Sequence, residues 1–413
     1  MIKPISISLS PNTEQDDVWL AFKLIFQPWR WKRGPELDRV EHEFKGYLGT
    51  QNVCAFNSGR SAFLAILHAL ELKEGDEILL QAFTCNAVPN PVIWSGLKPV
   101  YVDCNEDDYN IDTEDLERKI TQRSKAVVVQ HTFGLSAAMD TIVELCQRHN
   151  LILIEDCAHA LGAEFQGQKV GTFGKAAFFS FSRDKVISSV YGGMATTNDD
   201  ELATKIRDFQ NTAGDASFFW VLQQLLHPVG MNWGILPLYG IFGKYALVAA
   251  QQLHILSKAV HWKEKRGKQP GYFPRILPNA LATLALHQLG KVDRFNGYRR
   301  ELADMYYESL RNSSFELLAE FPKRKNIFLR FPIKHLRAHE IIKKAWARNL
   351  LLGDWYTNPV APDDTQLDAM GYKTGSCPTA EKLSRITLNL PTHINISEKN
   401  AETIIDFLNE YGN

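Results

Sequence analysis

The 413-residue sequence has almost no excess charge of either sign: 46 Lys and Arg stand against 47 Asp and Glu, a formal net charge of −1. Without a basic surplus, a nucleic-acid-binding protein is disfavoured, because a polyanionic partner demands one. Cysteine is sparse and unclustered. Cys54, Cys85, Cys104, Cys146, Cys157 and Cys377 are scattered with no CxxC pair, so they read as reduced thiols, mostly core, rather than a disulfide framework. Repeats and biased tracts are too few for a solenoid, a collagen or a disordered chain. The opening MIKPISISLSPNTEQDD lacks the basic and apolar regions of a signal peptide, which makes the cytoplasm the expected location.

What is present is apolar material for a large core, 45% of the chain, at a length that suggests two or three lobes or one α/β body with a smaller domain. In residues 1–50, a lead-in, Leu37, Val40, Phe44 and Leu48 recur at helical spacing and Gly49 closes the helix. From Val53 onward, short apolar runs alternate with amphipathic helices. Runs such as AVVVQ and LILIE, each separated by one helix, are what a mostly parallel sheet buried on both faces requires. A large α/β domain is therefore expected over 51–212, followed after 271 by a long helical pattern and a smaller C-terminal α+β domain.

Between them lies a different kind of sequence. From Ala216 to Leu256 the one ordinary charge is Lys244, amid residues such as Phe218, Trp220, Trp233, Tyr239 and Phe242. Pro228, Pro237 and four glycines divide it, so it reads as short pieces rather than the roughly 20 uninterrupted apolar residues of a membrane span. A basic stretch follows, with Lys258, Lys263, Lys265, Arg266 and Lys268.

Three segments carry chemistry. LILIEDCAHA ends a buried strand in Asp156, with His159 close behind; a carboxylate there points into the crevice where α/β proteins bind ligands, or it caps the next helix. FFSFSRDK sets Ser180 and Lys185 at another strand end, where a buried lysine becomes nucleophilic and an exposed one is only a loop residue. NSGRSAFLAILHAL places Ser58-Gly59 before a helix N-terminus, a position suited to a phosphate or simply to a turn. Together, in this order, they are the parts needed to hold pyridoxal phosphate.

At these residues the chain resembles the DegT/StrS family of pyridoxal-phosphate-dependent sugar aminotransferases. The resemblance extends in order through EHEFKGYLG, GLKPVYVDCNEDDYNID, HTFGLSAAMD, GGMATTND, GYFPRILPNALATLALHQL and LNLPTHINISEKNAETII. It implies the aspartate aminotransferase type of fold, with 51–212 as the cofactor domain. It also implies that Lys185 links covalently to the cofactor and shuttles a proton, and that Asp156 pairs with the pyridine nitrogen. His159 would sit near the ring hydroxyl. Gly59, the Arg60 and Ser61 backbone amides and the Ser180 hydroxyl would take the phosphate. An intact Lys185 separates the chain from the family's dehydratase branch. His131 matches a family histidine but ranks behind these, since a strand-end histidine is often structural.

Three positions depart from the family pattern. Cys85 stands where an aromatic usually stacks on the ring, leaving Phe83 or another residue to do so; Tyr191 replaces an acid; Phe273 replaces an asparagine that reaches the neighbouring subunit's phosphate. Segment 213–270 inserts roughly sixty residues where relatives run almost directly on, beyond ordinary loop lengths. It could pack as short helices, wall the active site, or lie at a membrane interface, and the sequence leaves all three open. The resemblance implies transamination of a nucleotide-linked ketosugar with glutamate as donor, in a homodimer, for polysaccharide or glycosylated-metabolite biosynthesis. The rival readings are a pyridoxal phosphate enzyme acting on a non-sugar or lipid-linked substrate, and a non-catalytic cofactor-binding regulator.

Overall fold

The computed structural model describes residues 3–411. Seven strands form the central sheet: β1 (Asn52–Phe56), β2 (Glu77–Gln81), β3 (Lys98–Val102), β4 (Ser124–Gln130), β5 (Ile152–Asp156), β6 (Ala176–Ser180) and β7 (Gly193–Thr197). Their spatial order is β1-β7-β6-β5-β4-β2-β3, and β7 alone runs antiparallel to its neighbours. The apolar runs account for this. In β4, Ala126 and Val128 enter one core while Val127 and Val129 enter another, so alternate side chains bury both faces.

The helices that position the site are α1 (Gln15–Ile25), α2 (Glu36–Leu48), α3 (Gly59–Ala69), α4 (Asp200–Ala213), α5 (Phe218–Val229), α6 (Lys244–Gln252), α7 (Asn279–Leu289) and α8 (Val292–Leu310). α2 ends as its sequence predicts: Gly49 takes φ 80°, the left-handed geometry that glycine adopts without strain, and its N–H caps Lys45. The long helical pattern after 278 is two helices, α7 and α8, parted at Gly290 and Lys291.

The smaller C-terminal body has an antiparallel pair, β8 (Arg330–Lys334) with β9 (Thr387–Pro391), packed on α8 through Leu302, Tyr306, Phe331 and Leu390. The first fifty residues divide between the two bodies. Ile5–Ser6 pairs with Leu350–Leu351 of the C-terminal body, while Phe44 of α2 is buried against Phe179 and Phe181 of the large one.

The structure corrects the reading of 216–256 as disconnected pieces. Phe218–Gln252 keeps helical backbone over 35 residues, long and apolar enough by length and composition to cross a membrane. Pro228 and Pro237 do not end it, because π turns at Gly230–Ile235 and Tyr239–Gly243 and a 3-10 turn at Leu236–Leu238 absorb the missing N–H groups. It is not a straight rod. Gln223 Nε2 donates to the His254 carbonyl at 2.5 Å, whereas a straight helix would part residues 31 apart by about 46 Å. The chain reverses near Leu238, which leaves helical geometry at φ −114° and ψ 15°. A Cβ on Gly243 would lie 2.9 Å from the Leu238 carbonyl carbon, so this turn requires glycine. The result is a helical hairpin, with α5 as one arm and α6 in the other.

Candidate active site

β5 is central, and Asp156 sits at its carboxyl end, level with Gln130 of β4 and Phe178 of β6. No helix follows it. Asp156 Oδ1 instead accepts the Ala158 N–H at 2.9 Å, so the capping role open to it in the sequence is absent. No cation pairs with this buried carboxylate among the described residues. Burial raises its pKa to about 6, against the opposing pull of the Ala158 N–H, Lys185 and His131.

Lys185 stands in the turn after β6, half-buried, with its Nζ 4.7 Å from the centre of the Trp355 ring. Burial lowers the pKa of its amine, which favours the neutral, nucleophilic form. The backbone of this turn is braced from afar. Asn12 Nδ2 donates to the Lys185 carbonyl, and Arg299 of α8 donates to Asn12 Oδ1 at 2.7 Å and to the Val186 carbonyl at 2.9 Å. Gln288 adds a bond to the Asn12 carbonyl and receives the Ser188 N–H.

One cavity of about 380 Å³, within the roughly 300–1,000 Å³ of small-molecule sites, is lined by Lys185, Asp156, His159, Ser180, Gly59 and Arg60. Ser61 is not on its wall: its N–H is taken by Ser58 Oγ at 3.0 Å and its hydroxyl donates to Asn57. His159 is held neutral by burial, reinforced by Lys185 and Arg330, and stacks on Trp355 with ring centres 5.1 Å apart. Phe83 lies behind the wall, against Tyr109 and Tyr356, so the aromatic surface near Cys85 comes from Trp355 and Tyr356. His131 is structural: Nδ1 accepts the Ala137 N–H, which puts its proton on Nε2, and that donates to Glu155.

The anion-binding end is built by close approach. A Cβ on Gly59 would lie 3.0 Å from Ser180 Cβ, and one on Gly193 would collide with the Ser58–Gly59 backbone. Only glycine lets the α3 N-terminus, the end of β6 and the start of β7 converge. The cavity thus joins an unpaired buried carboxylate, a half-buried amine and a glycine-lined helix N-terminus. This donor set fits pyridoxal phosphate, with Asp156 for the ring nitrogen, Lys185 for the aldehyde carbon, and Gly59, Arg60 and Ser180 for the phosphate.

Sequence reasoning missed part of the wall. Ala259 and Val260, from the strap after the hairpin, line the cavity, as do Asp184, Asp354, Asp363 and Asp364. Glu264 is fully buried and pairs with Arg60; burial works against the guanidinium's charge, but Glu264 outweighs it and raises its pKa. Arg60 also lies over the Phe273 ring at 4.7 Å, while the Tyr191 hydroxyl donates to the Lys258 carbonyl at 2.6 Å and its ring packs on Trp220. Tyr191 therefore packs directly on segment 213–270, and Phe273 reaches it through Arg60. The signal that could have found this was the coincidence of these aromatic residues with the apolar character of segment 213–270.

The sequence profile of the DegT/DnrJ/EryC1/StrS aminotransferase family matches residues 14–239 and 243–409. Among similar proteins, an Escherichia coli GDP-perosamine synthase is 27% identical, with 93% of this chain and 92% of that protein covered. A UDP-N-acetyl-3-dehydro-α-D-glucosamine 3-aminotransferase of Acidithiobacillus ferrooxidans is 28% identical, over 88% and 85%. The crystal structure of DesV from S. venezuelae superposes with a TM-score of 0.76 at 27% identity, covering 96% of this chain and 95% of DesV. With an aspartate aminotransferase-like fold and a family profile spanning nearly its whole length, the chain belongs to the DegT/DnrJ/EryC1/StrS aminotransferase family and is a pyridoxal-phosphate-dependent aminotransferase.

Proposed function

We propose that the protein moves an amino group from an amino acid donor, glutamate, to the keto carbon of a nucleotide-linked sugar, for polysaccharide or glycosylated-metabolite biosynthesis. It does so as a cytoplasmic homodimer, peripheral to the inner face of a membrane. The observation that carries the reaction is the convergence of Lys185 and Asp156 on one enclosed cavity. The names of the similar proteins support the sugar, since two of them act on nucleotide-linked sugars.

Bound pyridoxal phosphate supplies an electron-accepting ring that stores the amino group between donor and acceptor. The chain's own residues do the rest. Lys185 Nζ, its pKa lowered by desolvation, takes a proton from the donor's α-carbon and returns one to the acceptor carbon. Asp156, as a carboxylate, holds positive charge at the ring nitrogen. Neutral His159 and Trp355 form a flat wall that orients the ring. Asp354, Asp363 and Asp364 line the cavity as well, where carboxylates accept bonds from sugar hydroxyls and favour an ammonium product.

The test incubates the purified enzyme with glutamate and a panel of nucleotide ketosugars, scoring amino sugars by mass. Amination of at least one is expected. Turnover of none, by an enzyme that still converts glutamate to its keto acid, would remove the sugar from the reading.

A further inference from the structure

Sixteen large apolar side chains are exposed among the described residues, and fourteen of them fall within 19–29 or 218–262. Some of them meet directly across the two segments. Trp233 of the hairpin packs on Trp19 at 4.7 Å and Phe22 at 5.3 Å, joining the outer face of α1 to the hairpin. Beyond that junction Ile241, Phe242, Tyr245 and Val248 stand more than half exposed around the tip. The hairpin is rooted: Val221 and Leu225 on the inner side of α5 are completely buried. The returning arm α6, by contrast, has no buried residue, so the bareness lies beyond a packed root.

Charge indicates what covers it. Residues 18–35 and 216–263 contain seven Lys or Arg and no Asp or Glu, in a chain whose overall net charge is −1. Arg30 and Arg33 meet Glu36 and Asp215 at the margin, while Lys23, Lys32, Lys244, Lys258 and Lys263 form no ion pair among the described residues. Two such faces brought together would oppose like charges, which disfavours a second copy of the chain. A negative, laterally extended surface with an apolar interior satisfies both the aromatics and the lysines. The returning arm, about 14 residues or 21 Å of helix, is too short for the roughly 30 Å of a hydrocarbon core. The hairpin suits shallow insertion at the headgroups.

We infer that the outer face of α1 and the hairpin 218–256 form a docking surface for an anionic phospholipid bilayer. This deepens the peripheral placement proposed above by naming the residues and the lipid charge. The strap that follows the hairpin carries Ala259 and Val260 into the wall of the cavity, so docking sets the active site beside the membrane surface.

The test is flotation of the full-length holoenzyme with vesicles of phosphatidylcholine alone, or with about a quarter phosphatidylserine. The enzyme is expected to float with the phosphatidylserine vesicles and to be released by salt. Ile241→Glu/Phe242→Glu and Lys244→Glu/Lys258→Glu should each lower the bound fraction about tenfold. The first pair should leave amine transfer to a soluble acceptor unchanged, since neither residue touches the cavity. A wild type that stays unbound, binds phosphatidylcholine equally well, or is matched by both variants overturns the inference. So does a fall in native mass in the Ile241/Phe242 variant, which would make the surface an interface between copies. Flotation without any transferase activity would instead fail the catalytic reading and leave the docking surface standing.

Discussion

The Lys185 cavity and the hairpin invert the ordinary partition of side chains in opposite ways. In the cavity a carboxylate is buried and an amine partly desolvated; on the hairpin aromatic and aliphatic side chains face outward. Each arrangement is unfavourable alone, because buried charges lose hydration and exposed apolar surface orders or displaces water. A charged cofactor relieves the first, and the bilayer interface inferred above would relieve the second. Unsatisfied groups gathered in one place mark both regions, although the chemistry of the two has nothing in common.

Substitutions separate them. Lys185→Ala should have the largest effect, reducing amine transfer by roughly 10³-fold or more with vesicle binding unchanged; retention of most activity would remove the lysine from catalysis. Asp156→Asn follows, at about 10²–10³-fold. Its pH behaviour has a definite sign. The folded carboxylate titrates near 6 rather than at its ordinary 3.8, so it is an anion for the ring nitrogen only above that value. Cofactor retention, followed by visible absorbance, should fall as pH drops through about 6. The stripped protein should behave oppositely, losing stability as pH rises from about 4 to 6, because the native state holds the proton more tightly than the unfolded chain. A flat cofactor profile would show that Asp156 is not the partner.

Glu264→Gln should cost about 3 kcal/mol of stability by leaving the buried Arg60 unpaired. Thermal unfolding with and without excess cofactor measures it, and an unchanged midpoint would show that water already reaches the guanidinium. Smallest is Ile241→Glu/Phe242→Glu, with no change in soluble transfer. A large loss there would mean that the hairpin and the cavity are one unit, and the comparison would collapse.

Much of the cavity was legible because its parts are local. Asp156, Ser180 and Lys185 each follow an apolar strand, and parallel strands end on the same edge. The braces were not legible. Asn12 and Arg299 lie 287 residues apart and meet only because the N-terminal segment crosses between the two bodies. Ser61 shows the limit of motif reading in the other direction, since a helix N-terminus has several N–H groups and the Ser58 cap takes this one. Trp355 is a loop aromatic with no periodic pattern around it, and its place beside His159 follows from how the C-terminal body packs on the sheet.

The sequence by itself determined the sheet, the placement of Asp156 and Lys185 at neighbouring strand ends, and the existence of an apolar segment unlike the rest. Periodicity and strand-end position report directly on local backbone geometry, so these need no knowledge of distant contacts. Tertiary structure alone decided what the apolar segment becomes. Its prolines and glycines are compatible with separate short helices or with one reversing hairpin. The choice rests on long-range contacts, Gln223 with His254, Trp233 with Trp19, and Tyr191 with Lys258, that residue spacing does not encode.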